Sequence, residues 1–124
     1  MRQMMLSVLL ASALVWLGSG LGWADMGSAA PALKTKAGSP AESHNMEGIE
    51  HYGKGHWDVA KEHFVAAAKA DPQSAEAHYN VALALDKLGD HKGATEHFRM
   101  AKDLGKGNAD IENSQVLKAH LKMK

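Results

Sequence analysis

Eight histidines are the residues of this chain best suited to chemistry, and all of them fall after residue 43. Neutral imidazole is the commonest protein ligand for zinc, copper and nickel, so a histidine-based metal carrier is one reading of them. Two ligands on one helix face want a separation of three or four residues, as in H-x-x-x-H. The intervals His44–His51, His51–His56, His56–His63 and His91–His97 meet neither spacing. The spacing therefore predicts no metal site and no cofactor. The histidines read instead as surface or groove residues that make the domain sensitive to pH near about 6.5.

Catalytic chemistry finds no foothold. Glu47 and Glu50, or Asp86 and Asp90, are spaced for solvated helix faces. No Ser/His/Asp order sits in an elbow, and the glycines form no phosphate-cradling motif. The absence of cysteine removes disulfides, zinc–thiolate sites, thiol catalysis and a lipid-attachment residue. A formal net charge of zero gives no concentrated positive surface for nucleic acid. The expectation is a module that is not an enzyme.

The elements that carry these side chains are written twice, with a period of 34 residues. Ala41, Glu42, His44, Gly55, Ala60, Glu62, His63, Phe64 and Ala67 return as Ala75, Glu76, His78, Gly89, Ala94, Glu96, His97, Phe98 and Ala101. Self-similarity at a period of about 20–50 residues marks a repeat architecture. Between His56 and Ala70, Val59, Ala60, Phe64, Ala67 and Ala68 recur at spacings of three and four, one face of a helix. Val81, Ala82, Leu85 and Leu88 do the same. Glycines at 53, 55 and 89 interrupt the pattern, and nothing alternates with period two over a useful length. The pattern predicts an all-α chain with helices at about 41–53, 56–70, 74–88, 90–104 and 109–122. In the fifth, Ile111, Leu117 and Leu121 face one way, which suits a cap over the exposed end of a solenoid; Lys118, Lys122 and Lys124 form a short basic tail.

The repeat resembles the tetratricopeptide family, whose unit is a pair of antiparallel helices. Small residues stand where the first helix meets the second (Gly48, Ala82), and glycines at the turn between them (Gly55, Gly89). A small-large-small trio marks the second helix (Ala60, Phe64, Ala67, then Ala94, Phe98, Ala101), and Pro72 closes the first unit. The sequence departs from the family at His44 and His78, at His51 and Leu85, and at Lys106. The resemblance implies a short right-handed helical-hairpin solenoid: two units, 41–74 and 75–108, and a capping helix over 109–124. It also implies a concave surface that binds a protein or peptide. The positions facing that surface are Glu42, Asn45, Ile49, Tyr52, Glu76, Tyr79, Asn80, Leu83, Asp86 and Lys87, with Tyr79 either a groove anchor or a packing residue between repeats. Two repeats make a short array, because each unit buries its apolar face only against neighbours. Marginal stability, homo-oligomerisation or completion by a partner would each resolve the shortfall.

Residues 1–24 read as an export signal: Arg2, then an apolar run from Met4 to Leu17, then Gly22-Trp23-Ala24 as a cleavage site before Asp25. The competing reading is an uncleaved membrane anchor, since Met4 to Ala24 carries no charge and is long enough for a span of about 20 residues. Residues 25–40 are rich in Ala, Gly, Ser and Pro and predict a flexible linker, with Ser39-Pro40 opening the first helix. The expectation is a periplasmic or secreted tetratricopeptide scaffold, or a membrane-tethered adaptor if the N-terminus is retained.

Overall fold

The computed structural model describes residues 30–123. The export segment 1–24 and the expected mature start at Asp25 lie outside the described residues. The helices are α1 (Glu42–Gly53), α2 (Trp57–Ala70), α3 (Ala75–Lys87), α4 (His91–Leu104), α5 (Ala109–Glu112) and α6 (Gln115–Leu121). Among the described residues there is no strand, and no helix is long and apolar enough to cross a membrane. α1 pairs with α2 and α3 with α4 as two helical hairpins; α2 lies against α3, and α6 folds back onto α4.

The repeated small-large-small trios build the core. Ala60, Phe64, Ala67, Ala94, Phe98 and Ala101 are all fully buried. The reason for a small residue opposite them is visible at Gly48. A Cβ there would stand 2.5 Å from two ring carbons of Phe64, where carbon atoms in contact need about 3.5–4.0 Å. Gly55 and Gly89 turn each hairpin with φ of +79° and +86°, a conformation that glycine adopts without steric penalty. Ser74 and Asp90 cap α3 and α4 by accepting the backbone N–H of Ala77 and Gly93.

Three expectations are corrected here. The helix expected over 109–122 is two short helices, broken at Asn113-Ser114. Residues six apart on one unbroken helix point about 120° away from each other, so Ile111 and Leu117 could not share a face. The break lets both be buried, at 0% and 1% exposure. Ser114 makes it, its hydroxyl accepting the N–H of Leu117 at 3.3 Å.

The linker expected over 25–40 is, from Ala30 onward, laid against the helices. Ala30, Ala32 and Leu33 pack on the core. Low apolar content was a poor guide because this segment is held through its backbone. Nor does Ser39 cap α1, which begins at Glu42. Instead Glu42 turns back and takes the N–H of Gly38 at 2.7 Å.

Candidate functional site

The inner face is built around two amides, Asn45 of α1 and Asn80 of α3, both at 0% exposure. Asn80 Oδ1 accepts the N–H of Leu33 at 2.7 Å, and its Nδ2 donates to Leu33 O and to Asn45 Oδ1, each at 2.7 Å. Asn45 Nδ2 donates to Leu33 O at 2.9 Å. The N–H and the C=O of one residue are thus read together by one closed ring of hydrogen bonds, and that ring joins the first repeat to the second. Burial makes each of these bonds hard to give up, since an orphaned group there loses its water as well as its partner.

Tyr52 extends the contact, its hydroxyl donating to Ala30 O at 2.9 Å. Its ring packs edge-on against Trp57 at 5.0 Å. Burial, with Tyr79 and Asp86 nearby, pushes the Tyr52 phenol well above its ordinary pKa, so it remains a donor. Shallow hollows flank the bound strand. One lies between Met46, Ile49, Lys34 and Thr35, a second between Ile49, Tyr52, Trp57 and Pro31, and a third between Tyr52, Leu83, Val116 and Ala30.

Of the ten positions expected to face a partner, Asn45, Ile49, Tyr52, Asn80 and Leu83 surround one segment, the chain's own residues 30–36, and Glu42, Asp86 and Lys87 line the hollows beside it. Glu42, the first residue of α1, lines the first hollow and accepts the N–H of Gly38. Glu76 accepts from Asn108 Nδ2 at 3.0 Å, at the base of α5. Lys87 lies over the Trp57 ring at 5.5 Å. Tyr79 is no groove anchor. It is 3% exposed, packs edge-on against Phe98 at 5.5 Å, and its hydroxyl meets Ser114 Oγ at 2.7 Å beneath the C-terminal helices. Asp86 lines the third hollow, and its carboxylate meets His91 and His120.

Histidine spacing within a helix missed what the hairpins bring together. His44, Glu47 and His63 form one group across α1 and α2; Asp86, His91 and His120 form another across α3, α4 and α6. In each, three donor atoms lie within 4.8 Å of one another. His78 and His97 also meet, Nδ1 to Nδ1, at 3.2 Å. The signal was present at longer range: His44–His63 and His78–His97 are equivalent pairs in the two repeats, each spanning one hairpin.

Two stacked helical hairpins closed by a short capping pair define a helical-repeat solenoid whose inner face holds residues 30–36 of the same chain. Residues 45–109, more than half of the chain, match the tetratricopeptide repeat family model. The chain belongs to that family. Its repeats are protein-interaction modules, typically non-catalytic, that bind proteins or peptides. No curated protein matches the chain.

Proposed function

We propose that this chain is an exported interaction scaffold whose inner face takes one extended peptide by its backbone, with residues 30–36 occupying that place until a partner displaces them. The observation that carries this is the Asn45–Asn80 ring on Leu33. A side-chain amide that pairs with a backbone N–H and C=O accepts nearly any non-proline residue there. The neighbouring hollows then select side chains, with Tyr52 and Trp57 as aromatic anchors. Export rests on the composition of residues 1–24. N-terminal sequencing of the exported protein should begin at Asp25, whereas full-length chain in washed membranes favours the tethered form.

The groove is tested with Leu33→Pro, which removes the N–H that Asn80 accepts. A labelled synthetic peptide of residues 28–38 should bind this variant saturably in trans and leave the parent chain, whose groove is filled, unlabelled. Circular dichroism checks that helix content is kept. Equal binding to both chains, or none to a folded variant, would overturn the proposal.

A further inference from the structure

We infer that Asp86, His91 and His120 form a binding site for a divalent first-row transition ion such as zinc, which fastens the C-terminal helix α6 to the second repeat. Asp86 Oδ1 lies 2.8 Å from His91 Nδ1 and 2.9 Å from His120 Nε2. A tetrahedral ion bound at about 2.0–2.1 Å sets its donors about 3.3 Å apart, so the group needs to open by only about half an ångström. Two imidazoles and a carboxylate are a donor set that suits zinc, copper(II) or nickel better than calcium or magnesium.

The hydrogen bonds around His120 point the same way. Thr95 Oγ1 gives its proton to His91 O at 2.8 Å, so towards His120 Nδ1, 3.1 Å away, it can only accept. His120 therefore carries a proton on Nδ1, and in the neutral ring Nε2 is a bare lone pair facing a carboxylate oxygen. Nε2 is then the ring nitrogen free to bind a cation, 2.9 Å from Asp86 Oδ1. Fixing of a ligand imidazole through its other nitrogen is how metal-binding histidines are ordinarily oriented.

The surroundings grade from dry to open. Phe98 lies under the His120 ring, with centroids 5.0 Å apart. Side-chain exposure rises from 13% at His120 through 26% at Asp86 to 69% at His91. Three protein ligands with one open side leave a fourth position for water or for a group brought by a partner. The ligands come from three helices, so the ion would couple docking of α6 to metal occupancy.

The full chain, freed of metal by a chelator, is titrated with Zn²⁺ by calorimetry. One saturable site is expected, weakened at least tenfold by Asp86→Asn or His91→Gln and about 10–100-fold by Thr95→Val. The His91 side chain is largely exposed, so its variant keeps the parent fold. His63→Gln, in the other histidine group, should leave this site untouched. Zn²⁺ should also slow tryptic cleavage after Lys118 in the parent, reversibly with chelator, and not in Asp86→Asn. The inference is overturned by absence of saturable binding, by affinity indifferent to Asp86→Asn and His91→Gln, or by binding that His63→Gln abolishes.

Discussion

Asn80→Ala tests the ring of amides most directly. It deletes the acceptor of the Leu33 N–H and the donor to both Leu33 O and Asn45 Oδ1. Leu33 O keeps Asn45 Nδ2, so two groups lose their partners: the Leu33 N–H and Asn45 Oδ1. Left buried, each costs about 1–3 kcal/mol, or about 2–6 kcal/mol for the pair. The apolar trios of α2 and α4 are not touched. The cheaper response is for residues 30–36 to lift away and let water reach both groups. The lower bound of about 2 kcal/mol corresponds to about thirtyfold in the docking equilibrium. Hydrogen exchange followed by mass spectrometry should therefore show exchange across residues 31–36 faster by at least that factor, with protection in α2 and α4 retained. Unchanged exchange in the segment would show that something other than the amides holds it. Equal loosening of α2 and α4 would show that Asn80 is a core residue rather than a clamp.

Tyr79 and His97 give two further expectations. Tyr79→Ala should cost about 3–5 kcal/mol, as for other buried aromatics, and lower the melting temperature by more than about 10 °C; Tyr79→Phe, which loses only the bond to Ser114, should cost about 0.5–1.5 kcal/mol. Neither should speed exchange at residues 31–36, because Tyr79 lies beneath α5 and α6. Burial, and after it the nearby His78, lower the His97 pKa against weaker opposing pulls from Glu96 and Asp90. The unfolded chain therefore takes up this proton first, and stability should fall as pH drops from the ordinary value of 6.5 towards the lowered folded one. His97→Gln should flatten melting temperature against pH in that window, and an unaltered slope would refute the assignment.

The hairpins were legible in the sequence because their contacts recur. A trio that must fit between helices is constrained in size, and the 34-residue period shows the constraint twice. The groove was legible in part. Asn45, Tyr52 and Asn80 meet residues 30–36, but Tyr79 is covered by a C-terminal pair whose break at Ser114 left no apolar signature. The occupant of the groove was not legible at all. Residues 30–36 are held mainly by peptide groups, which every residue carries, so no side-chain pattern marks them. The histidine groups were hidden for a different reason: their members converge from separate helices, where spacing along one helix says nothing.

On the proposed function, the filled groove alters what recognition means for this chain. A partner peptide entering it would not add hydrogen bonds to an empty surface; it would take over those that Leu33 already makes. The backbone contacts of the incoming and outgoing strands then nearly cancel, whatever the partner's sequence. What is left to decide the exchange is the difference between side chains in the flanking hollows, set against the proximity of a competitor joined to the same chain. On that proposal a weak, promiscuous peptide would lose to the resident segment, and only one that filled the hollows beside Ile49, Trp57 and Leu83 better than Pro31, Lys34 and Ala30 do would take its place.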